Sequence, residues 1–389
     1  MENSNQVPFN VPYLSGGELL AIKDVIKRKK LSGNGYYTNK CQELFREKYG
    51  FAKCLLTTSC TDALEMTAIL INIQPGDEVI MPSYTFVSTA NAFVLRGAKI
   101  VFADSCENNP NIDSELIEGL ITKKTKAIVV VHYAGTACNM NKIMEIAKKY
   151  GLYIIEDAAQ SIDNYFINDD NNEIPIGSIG HFSCFSFHET KNINCGEGGM
   201  LVINDKKFND RAEIVWEKGT NRSAFFRGEV DKYNWVDIGS SFLMSEINAA
   251  FLWSQLDKLE LVQSKRQKLW YRYFELLKDI EIKSRGKIRV QKCPPYSKIN
   301  GHIFYLVCDS LITRNYLISQ CKLNNIQLVF HYTSLHKTPF FINQHDGRQL
   351  VQSDMYSDCL VRLPLYFDLE LTMVDQISNT ILTISDSEW

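Results

Sequence analysis

Cys184-Phe-Ser-Phe-His-Glu-Thr-Lys191-Asn-Ile-Asn-Cys-Gly-Glu-Gly-Gly199 sets one lysine between a short β-prone apolar run and a glycine cluster. Glycines at such a point let the backbone close tightly around a bound group. A lysine held there is a candidate Schiff-base former, because burial lowers its pKa and frees the amine to attack an aldehyde. A solvated loop lysine fits the same local pattern, so the reading depends on what lies upstream.

Upstream, from about residue 50 to 205, short β-branched runs alternate with helical patterns. Cys54-Leu-Leu-Thr, Glu78-Val-Ile-Met, Lys99-Ile-Val-Phe, Ala127-Ile-Val-Val-Val and Leu152-Tyr-Ile-Ile read as strands buried on both faces. Ala63 to Ile73 and Met140 to Lys149 carry apolar residues at helical spacing, and Gln74-Pro-Gly-Asp77 is a turn. The alternation predicts an α/β fold, a mostly parallel sheet flanked by helices. Met244 through about Leu277 reads as one long bridging helix. Short strands (Ile303-Phe-Tyr-Leu-Val, Gln327-Leu-Val-Phe) and helices beyond it read as a smaller C-terminal α+β domain. The expected division is a large domain over 1–255 and a small one over 256–389. The Asn-rich stretch Asn168-Asp-Asp-Asn-Asn-Glu173 reads as an exposed hairpin tip.

A chain of 389 residues suits about two domains. Its 42 lysines and arginines against 45 acids give a net charge of −3, which argues against nucleic acid as a partner. The eleven cysteines show neither a CxxC nor a Cys/His ligand cluster, so they read as reduced thiols and no metal is expected. Met1 to Asn10 lacks the basic start and apolar stretch of an export signal, and no apolar run approaches the ~20 residues of a membrane helix. A cytoplasmic protein with no membrane partner is expected.

In an open parallel sheet, ligands bind beyond the carboxyl ends of the strands. Thr57-Thr-Ser-Cys-Thr-Asp-Ala-Leu64 runs from a strand into a helix, where free amides favour a phosphate and the Ser59 and Thr61 hydroxyls add donors. Taken alone, the segment reads more simply as a plain Ser/Thr N-cap. Glu156-Asp-Ala-Ala-Gln160 follows another strand; an acid there either keeps a ligand's pyridine nitrogen protonated or caps the next helix. Side chains alternate along a strand, so only one of the two acids faces a site, and Asp157 is the better candidate. Ser186 lies within reach of a phosphate. His188 reads as a general base or as a packed core histidine. Pro82-Ser-Tyr-Thr-Phe86 supplies an aromatic that either stacks on a flat cofactor or fills the core. A phosphate cradle, an acid for a ring nitrogen, a stacking aromatic and a glycine-flanked lysine together fit pyridoxal 5'-phosphate.

These residues, in this order and spacing, resemble the nucleotide-sugar aminotransferases of the DegT/DnrJ/EryC1/StrS family, within the fold-type I group of pyridoxal phosphate enzymes. The resemblance runs from Pro8-Phe-Asn to Leu363-Pro-Leu365, with the family's signatures at 156–160, 186–191 and 196–199. It implies that Lys191 is the catalytic lysine that binds the cofactor aldehyde, and that Asp157 pairs with the pyridine nitrogen. Gln160 would contact the ring hydroxyl, Phe86 would stack on the ring, and the Cys60 and Thr61 amides with Ser186 would hold the phosphate. Asn234 matches an asparagine lent by the neighbouring subunit, which implies an obligate homodimer with shared active sites. Arg222, in Lys218-Gly-Thr-Asn-Arg-Ser223, lies in a loop near that boundary, and His331 and Tyr332 sit where the small domain approaches the sugar.

The long match Gln74 to Phe102 further implies amine transfer from L-glutamate, through pyridoxamine 5'-phosphate, to C4 of dTDP-4-dehydro-6-deoxy-D-glucose. The implied product is dTDP-4-amino-4,6-dideoxy-galactose, for a surface polysaccharide such as O-antigen or common antigen. The gluco epimer and a 3-keto sugar nucleotide remain open, because the motifs bind cofactor and do not read which carbon bears the ketone. Sugar 3-dehydratases of the same family carry histidine in place of the lysine, so Lys191 argues against them. A non-enzymatic regulator on this fold would carry an added DNA-binding module or a degraded cofactor site, and the sequence displays neither.

Overall fold

The computed structural model describes residues 6–386, so Met1 to Asn5, half of the stretch read for an export signal, lie outside it. Apolar runs without polar alternation form β1 (Lys53–Thr57), β2 (Glu78–Pro82), β3 (Lys99–Ala103), β4 (Thr125–Val131) and β5 (Tyr153–Asp157). A hairpin follows, β6 (Tyr165–Ile167) and β7 (Glu173–Pro175), with the exposed Asn-rich stretch at its tip, and then β8 (Phe182–Ser186) and β9 (Gly199–Ile203). Seven of these pair into one sheet in the order β1-β9-β8-β5-β4-β2-β3. Only β9 runs against its neighbours. Thr57, Pro82, Val131, Asp157 and Ser186 therefore finish along one edge, where β9 begins at Gly199.

Both faces of this sheet are covered. Leu56, Ile80, Ile128, Ile154 and Val202 join one core, while Leu55, Val79, Val129, Ile155 and Leu201 join another. The alternation means that each strand contributes side chains to both layers, at about 1.5–3 kcal/mol per fully buried aliphatic side chain. Helices Cys60–Leu70 and Val87–Val94 start directly beyond β1 and β2, so their N-termini open onto the shared edge.

The end of β5 decides which acid meets that edge. Glu156, fully buried, falls on the face of Ile154 and accepts five hydrogen bonds. The donors are His132 Nε2 (3.0 Å), the amides of Gly177 (3.0 Å), Ile179 (3.0 Å) and Gly180 (2.6 Å), and Ser183 Oγ (3.0 Å). Asp157 consequently points to the opposite face.

The smaller unit contains a three-stranded antiparallel sheet of β10 (Ile288–Val290), β11 (Tyr305–Cys308) and β12 (Leu360–Arg362), covered by helices Leu311–Leu323 and Leu371–Asp386. The expected single helix over Met244–Leu277 is two, Glu246–Leu256 and Leu259–Leu277. Packing changes along this stretch: Leu252 and Leu256 belong to the core of the large sheet, and Leu269, Trp270 and Tyr273 to that of the small one. The changeover lies inside the second helix, since Leu259 and Val262 still pack on the large core. Gln327-Leu-Val-Phe does not form the expected strand. It makes one isolated bridge, Val329 with Arg362, just after Ile326 bridges Val7, and then turns away as the His331 carbonyl takes hydrogen bonds from the Tyr84 and Tyr133 hydroxyls.

Burial opposes the charge on Glu156, and the hydrogen bonds from His132, Gly180 and Gly177 outweigh it, so its carboxyl titrates below the ordinary 4.5. A folded-state pKa lowered in this way gives stability that is complete at neutral pH and is lost as the pH falls through the carboxylate range. Glu156→Gln is expected to cost about 2–4 kcal/mol near pH 7. Thermal melts at several pH values should show the gap to wild type narrowing in acid; a gap that stays constant contradicts an ionised Glu156.

Candidate active site

Lys191 lies on the turn after β8 and keeps a partial opening to the cleft at the strand ends. Its amine has no hydrogen bond or ion pair among the described residues. Burial pulls its pKa down; Cys60 raises it, Arg362 lowers it further and Asp157 raises it, leaving it at about 8. That places an uncharged, nucleophilic amine within reach at near-neutral pH.

The loop holding Lys191 is fixed by its neighbours. Asn192 donates to Gln263 Oε1 (2.8 Å) and to the Asn300 carbonyl (3.1 Å), and its own oxygen lies 2.8 Å from His302 Nδ1. Asn194 donates to the Tyr13 carbonyl (3.1 Å), and Asn300 in turn donates to the carbonyls of Gln160 (2.8 Å) and Ile162 (3.2 Å). Buried amides with all these partners restrict the loop to one arrangement.

Asp157, 6% exposed, accepts from Thr89 Oγ1 (2.7 Å) and the Ala159 amide (3.2 Å). Burial raises its pKa against the pull of Thr89, Ala159 and Lys191. An acid that is hydrogen-bonded, buried and short of positive charge suits a protonated ring nitrogen, whose charge would reverse that shift. Gln160 accepts from the Ala134 amide (2.6 Å) and donates to the Tyr332 hydroxyl (3.2 Å). Phe86, half exposed, lies beside Tyr332 with ring centroids 5.7 Å apart, rather than in the core.

At the other end, Ser59 caps helix Cys60–Leu70, its hydroxyl accepting from the Asp62 amide (3.0 Å). The Cys60 and Thr61 amides occupy the first two helical positions and have no intrahelical acceptor. A Cβ on Gly199 would lie 2.3 Å from the Ser59 carbonyl carbon and 2.4 Å from the Cys60 nitrogen, so only glycine lets β9 pass beneath this helix start. Ser186 pairs with Gly199 across the sheet, at the same end. The Thr61 hydroxyl is engaged with Ser88 Oγ (2.8 Å). The N-cap reading and the phosphate cradle are thus compatible: Ser59 caps while the next two amides stay open to an anion.

Other candidates separate from this group. Arg222 stacks on Phe226 (5.1 Å) and lies 3.8 Å from Glu217, and Asn234 is exposed and hydrogen-bonded to Asn221. Neither touches Lys191 or Asp157 among the described residues. His331 is exposed, 3.0 Å from Arg362 Nη1, and Tyr332 reaches Gln160. His188 is neither packed in the core nor free; it meets Thr190 Oγ1 (2.9 Å) and lies 3.7 Å from Glu197. Ser83, His336 and Asp354 line up as a relay (2.7 and 3.4 Å), yet Ser83 is fully buried and its oxygen accepts the His336 amide, so the trio ties the two units together. Two site neighbours escaped the sequence reading. Thr89 is an ordinary threonine one turn into a helix, with nothing to mark it. Arg362 did carry a signal, as a single charge inside the apolar run Leu360-Val-Arg-Leu-Pro-Leu365.

Comparison with known proteins identifies the family. The model of the DegT/DnrJ/EryC1/StrS aminotransferase family matches residues 13–382, and the chain belongs to that family. It is 34% identical over 340 residues to MJ1066 of Methanocaldococcus jannaschii, an uncharacterised protein, covering 86% of this chain and 85% of that one. A family aminotransferase from Brucella abortus superimposes with a TM-score of 0.84 at 28% identity, over 96% of both chains. DesV of S. venezuelae, solved with a ketimine intermediate, gives a TM-score of 0.89 at 24% identity over 99% of this chain and 100% of its own. The enzyme is thus an aminotransferase of fold type I, and its cofactor is pyridoxal 5'-phosphate. No helix among the described residues is long and apolar enough to cross a membrane.

Two measurements probe the site. Covalent capture of pyridoxal 5'-phosphate by the apoenzyme, trapped with borohydride, should speed up as pH rises through about 8 and should be absent in Lys191→Ala. Gly199→Ala should retain cofactor at least about tenfold more weakly, since its Cβ displaces the Ser59–Cys60 backbone. Unchanged retention contradicts a phosphate seat at that helix start.

Proposed function

We propose that this chain transfers an amino group from L-glutamate to C4 of dTDP-4-dehydro-6-deoxy-D-glucose, giving dTDP-4-amino-4,6-dideoxy-galactose for a surface polysaccharide. One observation carries the choice of amine transfer: a buried lysine with a lowered pKa, in electrostatic reach of Asp157, stands at the position where the related dehydratases have histidine. The sugar and its nucleotide rest on the resemblance of the Gln74–Phe102 stretch.

In this reading Lys191 holds the cofactor aldehyde, Asp157 faces the ring nitrogen, Gln160 the ring hydroxyl and Phe86 the ring face. The Cys60 and Thr61 amides and Ser186 take the phosphate. Pyridoxal 5'-phosphate supplies an electron sink for the carbon that gains or loses a proton. The chain would move the protons: once released, the Lys191 amine would take one from the donor's α-carbon and pass it to the cofactor in the first half-reaction, and in the second would return one from the cofactor to sugar C4. Burial serves both roles, since a lysine near pKa 8 is a usable base and a usable acid at neutral pH.

The working unit is a homodimer in the cytoplasm. Phe226, Tyr233, Trp235, Val236 and Ile238 are exposed on one segment, and a partner covering it would bring Asn234 and Arg222 to the neighbouring cleft. His331 and Tyr332 would meet the sugar from the same chain.

Purified enzyme should be yellow, bleach on adding L-glutamate, and regain colour with dTDP-4-dehydro-6-deoxy-D-glucose. Proton couplings of the product then assign C4. An axial amine fits the galacto product; an equatorial one, or an amine at C3, replaces this substrate assignment with the gluco or 3-keto alternative.

A further inference from the structure

Thr85, Thr89 and Asp157 are joined by hydrogen bonds that run in one direction. Thr89 Oγ1 lies 2.7 Å from Asp157 Oδ2, and Thr85 Oγ1 lies 2.9 Å from Thr89 Oγ1. All three residues are buried, the threonines almost completely. A carboxylate only accepts, so the single hydroxyl proton of Thr89 goes to Asp157. Thr89 then offers only lone pairs to its other neighbour, and the Thr85 hydroxyl has to donate to it. The order Thr85 to Thr89 to Asp157 thus follows from counting protons, and it holds only while the Asp157 oxygen is ionised.

The local fold sets this row in place. Thr85 lies in the loop 83–86 beyond β2, and Thr89 in the first turn of helix Val87–Val94, four residues on. The loop is pinned at Ser83, whose amide donates to the Ala103 carbonyl (3.2 Å) and whose carbonyl takes the amides of Thr85 (3.1 Å) and Leu335 (2.9 Å). Phe86, the candidate for the ring face, stands between the two threonines.

The other oxygen of Asp157 accepts the Ala159 amide (3.2 Å), and among the described residues Thr89 is the only side chain hydrogen-bonded to the acid. Lys191, His132, Cys60, Cys184 and Tyr332 share its electrostatic surroundings without such a bond. Burial favours the uncharged acid, and the donors oppose it. Hydrogen bonds that end on a charge are the stronger kind, and a hydroxyl that itself accepts a hydrogen bond donates a better one.

We propose that Thr85 and Thr89 are positioning residues that keep the Asp157 carboxylate ionised, and so hold the proton of the Asp157–cofactor pair on the ring nitrogen. The inference rests on the reading of Asp157 as the partner of that nitrogen, and adds to it a residue, Thr85, that acts on Asp157 only through Thr89. A proton between a ring nitrogen and a carboxylate stays with the more basic of the two. Donors on the carboxylate make it less basic; without them the ring N–H bond breaks and the O–H bond of a neutral acid forms. The ring is then a weaker electron sink.

Holoenzyme reconstituted with cofactor labelled isotopically at the ring nitrogen tests this, because the nitrogen resonance reads whether that atom carries the proton. Thr89→Val, which keeps the shape of the side chain, should move the resonance toward the unprotonated position. Thr85→Val should move it part of the way, and Thr85→Ser and Thr89→Ser should leave it in place. Bleaching by saturating L-glutamate should slow about tenfold in Thr89→Val and about threefold in Thr85→Val, with the half-saturating concentration unchanged. Asp157→Asn is the reference. If its resonance moves and that of Thr89→Val does not, the proposal is overturned and the reading of Asp157 stands. If Asp157→Asn leaves the resonance in place, the reading of Asp157 falls and the proposal with it. Equal shifts in the Ser and Val variants would trace to packing and overturn the proposal as well. Should Thr89→Val not fold, Thr85→Val, which leaves the bond to Asp157 intact, carries the same comparison.

Discussion

Five hydrogen bonds to the carboxylate of Glu156 organise the site that lies on the far side of the same strand. His132 comes from the end of β4, Gly177, Ile179 and Gly180 from the turn before β8, and Ser183 from β8 itself. A fully buried carboxylate is tolerated only when its lone pairs are satisfied, so these segments have to converge on it together. Because side chains alternate along β5, satisfying Glu156 commits Asp157 to the opposite face. There Asp157 meets Thr89 and shares the electrostatic environment of Lys191 and Cys60. The structural acid and the candidate site acid are adjacent in sequence and separated by the sheet.

The same logic fixes Lys191. Its amine is unpaired among the described residues and largely desolvated, which is unfavourable for an isolated loop. Asn192, Asn194, Gln263, Asn300 and His302 offset that cost with buried hydrogen bonds around it, drawn from both units of the chain. The small unit is therefore more than a cover. Its Arg362 lowers the pKa of the amine, and its Tyr332 touches both Gln160 and the Phe86 ring.

Much of this was legible in the sequence because strand ends in a parallel sheet announce themselves. Apolar runs that end in Thr-Ser-Cys-Thr, Glu-Asp or Ser-Phe-His place polar groups at a common edge, and period-2 alternation chooses Asp157 over Glu156. What escaped depends on tertiary contact. Thr89 has no local signature, and Arg362 comes to the cleft from a strand more than 170 positions after Lys191. The break at Asp257 contains no proline or glycine, and the passage from the large core to the small one follows only after Val262, inside the second helix. Gln327 to Phe330 has strand composition, yet pairs only at single bridges, since its continuation is drawn toward Tyr84 and Tyr133. Asn234 and Arg222 lie apart from the Lys191 group within one chain, so a sequence motif alone could not place them in it.

The most direct measurement is borohydride reduction of the cofactor-loaded enzyme, followed by peptide mapping by mass spectrometry. Reduction fixes the cofactor to whichever amine holds it. A single modified peptide, carrying the added mass at Lys191, is the predicted result. Modification at another lysine, or none at all in a yellow protein, would contradict the assignment of Lys191 as the group around which the fold is built.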